Sequence, residues 1–112
     1  MFENTGGNLE RYMDLLTARQ KIVASNIANA DTPGYKSKDI DFQSEFQGAL
    51  DSHAPQVIDT PGLKIRNDGN NVSIDRESRL LSENAMRFSL AAQLIKNQFK
   101  DITTAIQGGA SA

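Results

Sequence analysis

Apolar residues recur at alternating intervals of four and three at both ends of this chain. Near the N-terminus, Leu9, Met13, Leu16, Gln20, Val23, Ile27 and Ala30 keep that spacing, which puts them on one edge of a helix. Near the C-terminus, Leu81, Ala85, Phe88, Ala92, Ile95, Phe99, Ile102 and Ile106 do the same over a longer run. Two long heptad helices are therefore expected, over 8–30 and 75–107, pairing as a coiled coil. Gln20 interrupts the first row, either as a surface residue or as a polar selector of register and partner.

The helix boundaries carry their own signals. Asn8 suits an N-cap, and Glu10 in the first turn favours the positive end of the helix dipole. The first helix must stop near Asp31, because Thr32 precedes Pro33 and is driven out of the α region, while Pro33-Gly34 fits the centre of a type II turn. Residues 31–36 are thus an encoded turn. In the middle segment, 37–74, Phe42, Phe46 and Leu50 recur every four residues behind Asp39 or Asp41 as a cap, predicting a short helix that Pro55 closes. Beyond it, Val57-Ile58, Leu63 to Arg66 and Val72 to Ile74 read as short extended pieces. Turns at Pro61-Gly62 and 67–71 separate them, as in a small β-hairpin. Asp75 is the expected cap of the last helix, and Gly108-Gly109 its end.

A second row lies beside each first row: Tyr12, Leu15, Arg19, Ile22, Asn26 and Asn29 on one helix, Leu80, Asn84, Arg87, Ala91, Leu94 and Gln98 on the other. Two helices can cover only one seam each, so the mixed second rows are expected to meet neighbouring chains. The last helix, at about 50 Å, also outruns the first by about ten residues, leaving part of it without a partner inside the chain. An isolated chain should be marginal, with ends that order on assembly.

Composition narrows the function. At 112 residues with 38% hydrophobic content the chain is at most one domain. Its 12 basic and 14 acidic residues leave a net charge of -2, and no basic cluster stands out, which argues against nucleic acid or an anionic membrane as partner. With no cysteine there is neither a disulfide framework nor a thiolate metal site. The opening residues show neither the basic region nor the apolar run of a cleavable signal, and no stretch approaches the ~20 apolar residues of a membrane span. His53 lacks a second ligand or a triad partner. Asp39 and Asp41 read as exposed acids at a helix start, and the Gly pairs lack the strand-to-helix context of a phosphate loop. No catalytic constellation, cofactor site or metal site emerges, so an enzyme is not expected.

The stretch Ser25-Asn-Ile-Ala-Asn-Ala-Asp-Thr-Pro-Gly-Tyr-Lys36, at the end of a heptad helix, resembles the N-terminal signature of the flagellar rod and hook family of axial proteins. A second stretch, from Gly69 to Glu77 followed by Glu83-Asn84 and the helix through Phe88 to Ile106, resembles the C-terminal region of the family's B-type proximal rod members. The short middle and Lys36 to Phe42 fit that type too. Ser73, where an acid is expected, and Phe88, where Tyr is common, depart from it.

The resemblance implies a mainly α fold in which the terminal helices pair as an antiparallel coiled coil. It implies a structural subunit of the proximal rod of the bacterial flagellar basal body, self-assembling into a helical tube that transmits torque for motility. Implied assembly residues are Leu9, Met13, Leu16, Val23, Ile27, Leu81, Phe88, Ile95, Phe99, Ile102 and Ile106. Implied turn-motif residues are Ser25, Asn26, Asn29, Thr32, Pro33, Gly34 and Tyr35. Partners would be other copies, other flagellar rod proteins and basal-body ring or junction proteins, in the periplasmic space. Delivery would be by the flagellar type III export apparatus without a cleaved signal. Phe42 to Phe46 and Phe46 to Leu50 each fit the Phe-x-x-x-apolar export element of early substrates, and equally a buried helical face. The alternatives are a C-type proximal rod protein and a cytosolic helical-hairpin adaptor or export chaperone.

Overall fold

A computed structural model describes residues 2–47 and 55–110 of the chain. Leu50 and His53 lie outside the described residues. Five elements follow one another: helix α1 (Phe2–Ala28), strand β1 (Lys38–Ile40), helix α2 (Phe42–Gln47), strand β2 (Val57–Asp59) and helix α3 (Ile74–Ala110). The molecule is a rod of 71 × 26 × 17 Å. Helices α1 and α3 lie side by side and antiparallel, so that Leu16 meets Asn84 while Asn8 and Tyr12 meet Ala91 and Leu94.

Local chemistry explains most of the boundaries. Helix α1 winds down through bonds from Asn29 N–H to the carbonyls of Ser25 (3.0 Å) and Asn26 (3.2 Å). The chain then reverses at Thr32 to Tyr35, where the Tyr35 N–H donates to the Thr32 carbonyl at 3.2 Å and Gly34 has φ 77. A positive φ at the third position defines the expected type II turn. Helix α2 is capped by Asp41, whose carboxylate accepts the Ser44 N–H at 3.3 Å. Asp39 is not the cap and is not exposed: it is buried as part of β1. The cap of α3 is Ser73 rather than Asp75, its Oγ accepting the Arg76 N–H at 3.3 Å. A serine here satisfies a first-turn donor as an acid would. Helix α3 continues through Gly108 to Ala110, past the expected glycine stop.

The sheet also differs from expectation. Strand β2 pairs antiparallel with β1, in the register Lys38 to Asp59, Asp39 to Ile58 and Ile40 to Val57. Leu63 to Arg66 and Val72 to Ile74 form no strand. Gly62, at φ 77 after Pro61, makes a type II bend that splays the chain instead of folding it into a hairpin.

The packed interior is narrow. It holds Leu15, Leu16 and Val23 of α1, Leu80 and Ala91 of α3, and Ile40 and Val72 beneath them. On α3 the buried residues, Leu80, Asn84 and Ala91, belong to the second row, while Leu81, Phe88, Phe99, Ile102 and Ile106 of the bulkier row are exposed. The inward edge lies between the rows, since Ala85 and Phe88 border a groove with Leu16 and Gln20 of α1 and Ile95 is half-buried. On α1 both rows contribute, since the inward edge falls between them. Helix α2 docks on α1 through edge-on contacts of Tyr12 with Phe42 (5.4 Å) and Phe46 (5.8 Å).

Candidate assembly surface

Side-chain amides and charges fasten the two long helices at one end. Asn26, fully buried on α1, treats Lys38 as a neighbouring strand would: its Nδ2 donates to the Lys38 carbonyl (2.8 Å) and its Oδ1 accepts the Lys38 N–H (3.0 Å). The Tyr35 hydroxyl donates to the same oxygen at 3.1 Å. One amide thus joins α1, the turn and the sheet. Asn70, also fully buried, uses its whole capacity. Its Nδ2 donates to the carbonyls of Asn29 and Thr32, both at 2.9 Å, and its Oδ1 accepts from the Val72 N–H and the Arg66 guanidinium, both at 2.7 Å. Arg66 reaches on to the carbonyls of Ala30 (2.6 Å) and Val72 (2.7 Å). Asn71 accepts the Ser37 N–H at 2.6 Å, and Lys36 Nζ donates to the Gly69 carbonyl.

Below this network Asp39 binds both helices. Arg19 of α1 approaches it with Nε (3.0 Å) and a terminal nitrogen (2.9 Å), and Arg76 of α3 with a terminal nitrogen (2.7 Å). Burial pushes the Asp39 carboxyl up, but the hydrogen bonds from Arg19, Arg76 and the Ile40 N–H, with the charge of Arg19, outweigh it and hold the pKa below its ordinary value. Arg76 also pairs with the buried Glu77 (2.9 Å), which accepts from Ser37 Oγ (3.2 Å).

This clamp fixes the rotation of both helices about their axes, and so decides which α3 row turns outward. Leu81, Phe88, Phe99, Ile102 and Ile106 are all exposed, Phe99 by 72% and Ile106 by 68%. Met86, Leu90 and Leu94 are exposed on a further side. Because α3 has 37 residues against 27 in α1, its last turns extend past the start of α1. There Asp101, Ile102, Ala105 and Ile106 line a shallow apolar depression. A helix apolar around so much of its circumference is built to be covered.

Known proteins are similar to this sequence. A family model described as flagella basal body rod protein matches residues 13–36. The chain is similar to the flagellar basal body rod protein FlgB of Salmonella typhimurium, with 31% identity over 87% of this chain and 88% of that protein. It is similar to the FlgB of Borrelia hermsii at 30% identity, covering 96% and 98%, and to that of Bacillus subtilis at 25%, covering 97% and 98%. The chain belongs to the FlgB family of flagellar basal body rod proteins. It is a structural rod component and not an enzyme, and the C-type and chaperone readings are not favoured.

The segment that the family model matches runs from the middle of α1 to the turn. Of the turn-motif residues, Asn26 is buried, Asn29 and Tyr35 are half-buried, and Ser25, Thr32, Pro33 and Gly34 are exposed around them. Leu16 and Val23 are buried, Leu9, Met13 and Ile95 half-buried, and Ile27 exposed. Phe42 and Phe46 are half-buried against Tyr12, and Leu50, the end of the second export pattern, lies outside the described residues. Sequence reasoning missed Arg66, Asn70, Asn71, Glu77 and the charge of Asp39. The run of amide residues in 67–71 was a signal, but it also reads as a plain turn.

Proposed function

We propose that this subunit builds the proximal rod as a helical tube, with the outward row of α3 and its projecting end covered by neighbouring copies and by other rod and basal-body components. The exposed row Leu81, Phe88, Phe99, Ile102 and Ile106 on a helix longer than its partner supports this reading most directly. Removing a fully exposed side chain of this kind from water gains ~1.5–3 kcal/mol, and the row keeps from 37% (Leu81) to 72% (Phe99) of its area exposed, so a neighbour that covers it gains part of that at every position.

The mechanism follows from the division of labour within the molecule. The clamp of Asn26, Asp39 and Asn70 makes each subunit a stiff unit with a fixed helix rotation. The apolar row then joins units along their length, and torque passes as shear across many packed helices. Delivery by the flagellar type III export apparatus, to a rod in the periplasmic space, fits the same reading. Phe42 and Phe46 would serve as an export element while α2 is undocked from Tyr12. Among the described residues no helix is long and apolar enough to cross a membrane.

Fractionation of detergent-resistant basal bodies tests the proposal. The chain is expected in the rod fraction at the membrane-ring end; its absence from purified basal bodies of motile cells would overturn it.

A further inference from the structure

Two lengths of backbone in the middle segment carry peptide groups with no hydrogen bond among the described residues. The Thr60 N–H donates to the Ser37 carbonyl at 2.9 Å, so by the alternation of an antiparallel ladder the peptide groups of Ile58 also face β1. Those of Val57 and Asp59 then point outward, and among the described residues nothing bonds to them. Val57 and Ile58 are both exposed. The opposite edge of the sheet is closed by the Asn26 amide. A two-stranded sheet of three residues each with one open edge is short of the strands that stable sheets require.

The second length is Leu63 to Ile65. Among the described residues its backbone makes no hydrogen bond, and Ile65 is 58% exposed. It is kept from its own β2 from both sides. The Pro61-Gly62 bend splays it, and Arg66 is tied to the carbonyls of Ala30 and Val72.

We infer that the outer edge of β2 takes Leu63 to Ile65 of a second copy as an antiparallel third strand, bonded through the Asp59 and Lys64 peptide groups, an addition that rests on the rod reading above. The register that pairs Lys64 with Asp59 sets a cation against the acid of β2 and Ile65 against Ile58, both of them exposed. Asp59 holds Lys38 of the neighbouring strand through Oδ1, which leaves Oδ2 to take the Lys64 ammonium, and 63–65 carries no acid to oppose it. Main-chain bonds would supply affinity, and the ion and isoleucine pairs the register. Because donor and acceptor edges lie on different parts of the subunit, the contact is head-to-tail and propagates, as a tubular assembly requires.

The chain has no cysteine, so introduced thiols report without background. Cells co-expressing an Ile58→Cys chain and an Ile65→Cys chain are oxidised, and their purified basal bodies resolved without reductant. A second pair, Asp59→Cys with Lys64→Cys, uses exposed sites, where Asp59→Cys gives up only a surface ion pair with Lys38. The expected result is a reducible band at twice the chain mass in at least one pair, missing when either chain is expressed alone. No cross-link between copies in either pair overturns the inference. Wild-type chain present in basal bodies alongside that negative result leaves the rod reading standing; wild-type chain absent from them removes the rod reading itself.

Discussion

Gly69 crosses Gly34 so closely that a Cβ on Gly69 would sit 3.2 Å from the Gly34 Cα. The two glycines are where the turn after α1 meets the loop before α3, and the Gly34 N–H donates to the Asp68 carbonyl at 2.8 Å across the same contact. Gly69→Ala therefore suffers twice, from its φ of 84 and from contact with backbone that cannot swing aside. Gly34→Ala meets nothing within 4 Å and bears only the cost of its φ of 77. A left-handed alanine costs ~1–2 kcal/mol. Unfolding in urea, followed by circular dichroism, should show Gly34→Ala destabilised by about that amount and Gly69→Ala by clearly more.

Asp39 makes the clamp sensitive to acid. Its folded-state pKa lies below the ordinary value of 3.8, so the unfolded chain binds a proton first as pH falls. The carboxylate thus contributes stability that is complete above about pH 4 and is lost as pH drops through the folded-state pKa. Asp39→Asn should be less stable than the natural chain at pH 7, with the gap closing below pH 4. Thermal melts at pH 7, 5, 4 and 3 check this, and a constant gap would count against it.

Asn70 has no replacement that keeps all four bonds. Alanine leaves the buried Val72 N–H without a partner and takes one donor from the Thr32 carbonyl, while the Asn29 carbonyl keeps the Thr32 N–H. At ~1–3 kcal/mol for a buried group left unsatisfied, a loss of about 2 kcal/mol is expected in denaturant titrations. Asn70→Asp should be no better at neutral pH, because a carboxylate would face two carbonyl oxygens, and it should recover in part as it protonates.

The long helices and the turn could be read from the chain because their rules are local. Heptad spacing, the Thr32-Pro33 junction and a glycine at the third turn position act within a few residues. The clamp could not, because Asn26 and Lys38, Asn70 and Thr32, or Asp39 and Arg76 meet only once the chain has folded back. Nor does spacing settle the phase of α3. The rows through Leu80 and through Leu81 lie one residue apart, and the bulkier row reads as core. Rotation is set by the clamp, which turns Glu77 and Asn84 inward because they have partners there. Strand β1 was hidden for the same reason, its outer edge being completed by a side chain.

Substitutions on the two faces of α3 should separate folding from assembly. Leu80→Ala removes a buried contact with α1 and should destabilise the subunit by ~2–5 kcal/mol. Ile106→Ser removes a side chain that is 68% exposed, and the helix content and melting of the free subunit should barely change. In cells, Ile106→Ser should nonetheless reduce motility in soft agar.

The projecting end of α3 gives the most direct test, since Phe99 and Ile102 are exposed and lie near or beyond the reach of α1. The Phe99→Asp/Ile102→Asp chain should be quantified in purified basal bodies beside the natural chain, with circular dichroism of each as a folding control. A folded variant missing from the rod fraction is the predicted result; a variant incorporated at the natural level would contradict the assignment of this face to assembly.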